Sequence, residues 1–226
     1  MKQKIRLAVF DLDGTLADTI PDLAGAMAHI LKKYGNFGDV EPLVRRSVGR
    51  GVYVLFEKVY GELGIDSQSR LADVEAYKAY YAAHCFQKTR LYPHTVAVLE
   101  ELKRRGIHLA VATMKPREAT HEVLRQTGLL PYMEAVYAQE DMERPKPEPW
   151  CVVHLAEEFG VPLSETAMIG DSLNDVGAGK AAGAVSVAVL GGYADPEEMR
   201  RSGADYVIDD IGCVRDIFEG GDTYGD

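Results

Sequence analysis

The sequence predicts an α/β fold: a parallel sheet with a helical segment inserted after its first strand. Two observations carry this expectation. From residue 107 to 209, short and uniformly apolar runs alternate with helical patterns, as in a parallel sheet covered on both faces. From residue 17 to 90 the chain shows helical periodicity and no convincing strand. An apolar run precedes that helical stretch, so the two ends of the chain must share one sheet. The helical part is therefore an inserted domain over residues 17–90, and residues 1–16 and 91–226 form the α/β core.

Along the chain, IRLAVF (5–10) supplies the first strand. TIPDLAGAMAHILKKYG (19–35) follows, with apolar residues at 20, 23, 24, 27, 30, 31 and 34 on one helical face. Thr19 is placed to cap this helix, Pro21 suits its first turn and Gly35 can end it. GVYVLFEKVYGEL (51–63) and SRLADVEAYKAYYAAHCF (69–86) read as two more helices. The α/β rhythm resumes with a helix, PHTVAVLEELKRRG (93–106), and a strand, IHLAVAT (107–113). PREATHEVLRQTG (116–128) is a helix, EAVYAQ (134–139) a strand and PEPWCVVHLAEEFG (147–160) a helix. TAMIG (166–170), VSVAVL (185–190) and DYVID (205–209) complete the strands.

At 226 residues the chain suits one large domain or one domain with an insertion. The formal net charge of -10 argues against nonspecific nucleic-acid binding, which needs a basic surface. It leaves room for an anionic substrate in a locally positive site. Cys85, Cys151 and Cys213 are odd in number, far apart and never in a CxxC pair. Neither a disulfide framework nor a zinc cluster follows, and reduced thiols are the simplest reading. MKQKIRLAVFDLD begins like a signal peptide, but aspartates interrupt its short apolar run. No apolar stretch reaches the ~20 residues of a membrane span. The expectation is a cytoplasmic protein with neither nucleic acid nor membrane as partner. Only the tail EGGDTYGD (219–226) has the composition of a disordered segment.

In an open parallel sheet, ligands sit beyond the carboxyl ends of the strands. Four chemistry-bearing stretches fall there: Asp11-Leu-Asp13-Gly-Thr15, Thr113-Met-Lys115, Lys146 in RPKPEP, and Gly170-Asp171-Ser172-Leu-Asn174-Asp175. Each has a plainer reading by itself. The first can be a turn, and Asp22 even falls at the twelfth position of a calcium loop counted from Asp11. Its glycine, however, is fourth rather than sixth, and Pro21 lies inside. Thr113 can cap the helix near Pro116, and Lys146 can be a solvated charge. Asp171 and Ser172 can cap the helix beginning near Leu173. Together the four supply a nucleophile, aspartates able to share a divalent cation, cations for phosphate oxygens and an acid for a leaving group. Those are the parts of phosphoryl transfer.

In order and spacing, the four stretches resemble the motifs of the haloacid dehalogenase superfamily of phosphohydrolases, as far as about residue 192. The resemblance implies a Rossmann-like sheet with a mobile helical cap inserted after the first motif. It implies that Asp11 is the nucleophile, forming an aspartyl phosphate, and that Asp13 exchanges protons with leaving group and water. Magnesium would be held by Asp11, the backbone carbonyl of Asp13 and Asp171, with Asp175 as ligand or support. Thr113 and Lys115 would hold the transferring phosphoryl group, Lys146 would stabilise the nucleophile, and Thr15 would help hold Asp13. Dehalogenases in this superfamily need neither the second aspartate nor magnesium, so the chain resembles its phosphatases. Met114 departs from the Thr-Asn-Lys common in that branch, which implies altered local packing or specificity.

DGTLADTIPDLAGAM, VGRGVYVLFEKVYG, RLYPHTVAVLEELKRRG and LGGY resemble stretches of phosphoglycolate phosphatases. The implied substrate is a small phosphorylated metabolite, 2-phosphoglycolate. Gly49 and Gly51 can present backbone N–H groups to it. Arg50 between them can pair with a carboxylate or stay a solvated loop residue. Sugar phosphates, pyrophosphate and phosphomutase chemistry remain open alternatives. A receiver-type phosphoacceptor module also combines aspartates, magnesium, a Thr and a Lys. Such modules are roughly half as long, and lack both the insertion and the second aspartate. Asp18 sits where the chain leaves the sheet, as a hinge or helix-start residue.

Overall fold

The structure, a computed structural model, describes residues 3–66 and 68–219. Most of the tail EGGDTYGD therefore lies outside the described residues. Six parallel strands form the central sheet: β1 (Leu7–Phe10), β2 (His108–Ala112), β3 (Ala135–Tyr137), β4 (Thr166–Gly170), β5 (Val185–Val189) and β6 (Tyr206–Ile208). Their order is β3-β2-β1-β4-β5-β6. The winding direction reverses between β1 and β4, and ligands bind in the crevice at such a switch point. Phe10 pairs with Ile169 in register, so the chain leaves β1 at Asp11 beside the place where it leaves β4 at Asp171.

Helices α1 (Ile20–Leu31), α2 (Glu41–Arg45), α3 (Val52–Leu63) and α4 (Arg70–His84) lie between β1 and β2, and α5 (Thr95–Arg104) completes that crossover. Helices α6 (Arg117–Gln126), α7 (Trp150–Glu158) and α8 (Leu173–Ala182) carry the next three crossovers. Strand residues alternate between two apolar layers, as the pleat requires. Ala8, Phe10, Leu109, Val111 and Ile169 pack with Leu99, Leu102, Val123 and Leu124. Leu7, Val9, Ala110 and Met168 pack with Cys151, Val152, Leu155 and Ala178. No helix among the described residues is long and apolar enough to cross a membrane.

The inserted helices contribute an aromatic cluster that is continuous with the apolar layer containing Ala8 and Phe10 on one face of the sheet. Phe56 meets Tyr77 edge to face at 5.3 Å, and Tyr77 stacks on Tyr81 at 5.9 Å; each such pair contributes about 0.5–1.5 kcal/mol beyond its area. Asp73 is buried among them and accepts hydrogen bonds from Lys33, from Tyr34 Oη at 2.5 Å and from Tyr60 Oη at 2.7 Å. Burial pushes the Asp73 pKa up, but these donors outweigh it and leave it below the ordinary carboxylate value.

Several local expectations are corrected. A short antiparallel ribbon, Ala17–Asp18 against Arg90–Leu91, joins the insertion to the core, within and beside a region that shows no strand pattern. Helix α1 ends at Leu31, before Gly35, and α2 is an additional helix. Thr19 does not cap α1 with its side chain. Asp18 Oδ1 accepts the Ile20 amide at 3.2 Å instead, as expected of a helix-start residue. Asp22 is not poised for calcium. It accepts the amides of Lys88 and Thr89 and the Thr89 hydroxyl, at 2.8–3.0 Å, clasping α1 to the returning chain.

Candidate active site

The turn after β1 is built around glycine. Gly14 has a φ of +90°, and a Cβ there would sit 2.2 Å from Asp171 Oδ2. Both the conformation and the close approach demand glycine. Gly192 admits Asp171 from the other side, where a Cβ would lie 2.2 Å from the Asp171 Cβ. The result is three buried carboxylates, Asp11, Asp171 and Asp175, with oxygens within 4.8 Å of one another.

Lys146 compensates part of that charge. Its Nζ donates to Asp11 Oδ1 at 2.9 Å, Asp175 Oδ1 at 2.5 Å and the Ala112 carbonyl at 2.8 Å. All three ammonium hydrogens are used and the side chain is only 2% exposed, so Lys146 is no solvated loop charge. Burial pulls its pKa down, but Asp11 and Asp175 outweigh this and raise it. Asp11 is pushed up to about 7, chiefly by burial and also by Asp175 and Asp13, against the pull of Lys146. Asp171 is raised well above the usual carboxylate range by burial, Asp11 and Asp175. Two adjacent carboxylates that resist ionisation form a site short of positive charge.

Helix α8 places the fourth stretch. Ser172 is its N-cap, and Asp175 completes a capping box by accepting the Ser172 amide at 3.1 Å and hydroxyl at 2.6 Å. Both Asp175 oxygens are thus already engaged, while Asp171 faces the site instead of capping. Thr15 is corrected: its hydroxyl donates to Asp171 Oδ1 at 3.0 Å, not to Asp13. Asp13 Oδ1 accepts instead from Thr19 Oγ1 at 2.8 Å and from Lys115 Nζ at 2.9 Å, and Oδ2 lies 3.1 Å from the same ammonium. The Lys115 ammonium also donates to Tyr81 Oη of α4 at 2.6 Å. Thr113 Oγ1 accepts the Lys115 amide at 3.3 Å and caps no helix, since α6 starts after Pro116 without a side-chain cap.

A cavity of about 800 Å³ lies between the insertion and the carboxyl edge of the sheet, lined by Asp11, Asp13, Lys115, Lys146, Asp171 and Arg50 among others. Arg50 is exposed on the turn before α3 and lines the cavity. Gly49 and Gly51 beside it have φ of 105° and 84°. The Gly49 carbonyl accepts from Asn174 Nδ2 at 2.9 Å, joining that turn to α8. Met114 packs against the α7 side of the core, next to the cavity.

Sequence reasoning missed Thr19, Tyr81 and Tyr193, whose backbone N–H donates to Asp171 Oδ2 at 2.7 Å. Tyr81 is indistinguishable by pattern from the other core aromatics of α4. Tyr193 lies in LGGY, a stretch noticed for resemblance and not for chemistry.

The sequence matches the haloacid dehalogenase-like hydrolase pattern over residues 5–183. It is 36% identical over 224 residues to a phosphoglycolate phosphatase of Neisseria meningitidis, covering 96% of this chain and 94% of that protein. It is 35% identical over 221 residues to one of Vibrio parahaemolyticus, covering 96% and 97%. A crystal structure from Haemophilus somnus, described as a predicted phosphoglycolate phosphatase, superposes with a TM-score of 0.87 at 28% identity, covering 95% of this chain and 98% of that one. With the motif residues gathered at the switch point of the sheet, the chain belongs to the haloacid dehalogenase-like hydrolases.

Proposed function

We propose that this hydrolase is a cytoplasmic, magnesium-dependent phosphatase of small phosphate monoesters, with 2-phosphoglycolate as its first candidate substrate. One observation carries the chemistry: Asp11 is tied to a buried ammonium while Asp13, two residues on, is tied to a different one. The two carboxylates therefore take separate roles. Asp11 attacks phosphorus and the ester P–O bond breaks, leaving an aspartyl phosphate. Asp13 gives its proton to the departing oxygen, then takes one from the attacking water. That water breaks the Asp11–phosphorus bond and releases phosphate. Lys115 turns from Asp13 toward the phosphoryl oxygens when substrate arrives, with Thr113 beside it, which frees Asp13 to carry a proton. Lys146 fixes Asp11, and Asp175 fixes Lys146.

The donor set fits magnesium, because every available ligand is a hard oxygen and the raised Asp11 and Asp171 pKa values mark missing positive charge. Asp11, the Asp13 carbonyl and Asp171 would hold the ion, which offsets charge on the phosphoryl oxygens. The names of the relatives favour phosphoglycolate, and Arg50 on the cavity wall offers its carboxylate a partner.

The test is a panel of phosphoglycolate, pyrophosphate and hexose phosphates, assayed with magnesium and with excess EDTA. The expected result is metal-dependent turnover with the highest kcat/KM for phosphoglycolate. Undiminished turnover in chelator overturns the metal assignment, and a preferred sugar phosphate or pyrophosphate overturns the substrate. Arg50→Ala is expected to raise KM for phosphoglycolate more than for an uncharged ester. Equal effects on both dismiss the carboxylate pairing.

A further inference from the structure

Tyr193 bridges two parts of the site, one through its backbone and one through its side chain. Its backbone N–H holds Asp171 Oδ2 at 2.7 Å. Its ring then runs to the ribbon where the insertion begins. There Tyr193 Oη accepts the Thr19 amide at 2.7 Å and donates to Asp18 Oδ1 at 3.1 Å, with Thr19 Oγ1 3.4 Å away. The Arg45 guanidinium lies over the ring, 5.4 Å from its centroid, and faces Asp18 at 3.7 Å. Thr19 passes the contact on, since its hydroxyl donates to Asp13 Oδ1 at 2.8 Å.

We propose that Tyr193 is a positioning residue that orients Asp13 through Thr19, tying proton transfer to the arrangement of the ribbon that carries the insertion. The inference rests on the phosphatase reading of Asp13. Among the described residues, two donors hold that carboxylate, Lys115 and Thr19. The Lys115 ammonium is the one a phosphoryl group draws away. Thr19 then holds Asp13 alone, and the Thr19 backbone is pinned by the Tyr193 hydroxyl. An acid misplaced by a fraction of an ångström transfers protons slowly, while substrate binding is little affected. Burial pushes the Tyr193 phenol pKa up, so it stays a neutral donor and acceptor.

Tyr193→Phe isolates the hydroxyl. It keeps the N–H on Asp171 and the ring under Arg45. The expected result is a kcat lowered about tenfold, with KM and the magnesium concentration for half-maximal activity unchanged. Hydrogen exchange of the Thr19 amide is expected to speed up. Thr19→Val removes the hydroxyl on Asp13 but keeps that amide contact. It is expected to lower kcat similarly without faster exchange at residue 19, and the double variant to lose little more than either single one, as residues acting in series do. Unchanged kcat in Tyr193→Phe overturns the proposal, as do multiplicative losses in the double variant or a shifted magnesium dependence. Asp13→Asn separates this failure from failure of the phosphatase reading. Wild-type turnover in Asp13→Asn overturns both, whereas a slow Asp13→Asn beside a fully active Tyr193→Phe overturns this proposal alone.

Discussion

Lys146→Met removes a cation that three buried acceptors share. Methionine nearly matches the lysine stem in length, so the change tests charge more than volume. Asp11 Oδ1, Asp175 Oδ1 and the Ala112 carbonyl all lose their donor. Deleting one partner of a buried ion pair costs about 3–5 kcal/mol. Asp11 relieves part of this by taking a proton. Its pKa is already pushed up to about 7, and without Lys146 it rises further. A carboxyl with a raised folded-state pKa lends stability that is complete below its unfolded pKa and lost as pH rises through the folded one. In the wild type that loss ends near the Asp11 value of about 7; in the variant it continues upward. The deficit should therefore widen with pH. Urea unfolding is expected to give a loss of about 3 kcal/mol near pH 6 and nearer 5 kcal/mol near pH 8.5. A deficit below about 1 kcal/mol at both values, or one that shrinks as pH rises, refutes the picture of Lys146 as a buried counter-ion.

Other substitutions probe the frame around the site. Gly14→Ala forces a methyl onto Asp171 at a positive φ and is expected to cost about 1–3 kcal/mol, with weakened magnesium binding in a calorimetric titration; intact metal affinity contradicts the cradle. Asp22→Asn turns an amide NH₂ toward the Lys88 and Thr89 donors and is expected to lower stability by about 1–3 kcal/mol; a neutral result in thermal unfolding removes the clasp. Tyr81→Phe strips the insertion's hydroxyl from Lys115 and is expected to lower kcat/KM several-fold with unfolding unchanged. Full activity there means that Lys115 is placed without help from the insertion.

Strands β1, β2, β4 and β5 were legible because both of their faces are largely buried, which leaves apolar runs; the edge strands β3 and β6 are only partly buried and were legible from their apolar content alone. The ribbon was not, because two-residue strands such as Ala17–Asp18 carry no pattern. Helix α2, at five residues, is likewise too short to show periodicity. The motif residues were legible as types at strand ends, but their partners were not. Thr15 lies close to Asp13 in sequence, yet its hydroxyl bonds a carboxylate 156 residues away, because the sheet order sets β1 beside β4. Thr19 precedes a helix and reads as its cap; the nearby Asp13 carboxylate is the acceptor that its hydroxyl takes instead. Burial of Lys146 depends on Asp11 and Asp175 arriving from two other segments, which a local window does not contain.

The central claim is that Asp11 becomes covalently phosphorylated. The direct measurement is rapid acid quench of a single turnover with a ³²P-labelled phosphate ester, followed by peptide mapping. The account predicts transient, hydroxylamine-labile label on the peptide that contains Asp11, and none in Asp11→Asn. Turnover with no protein-bound phosphate, or label on another residue, contradicts it.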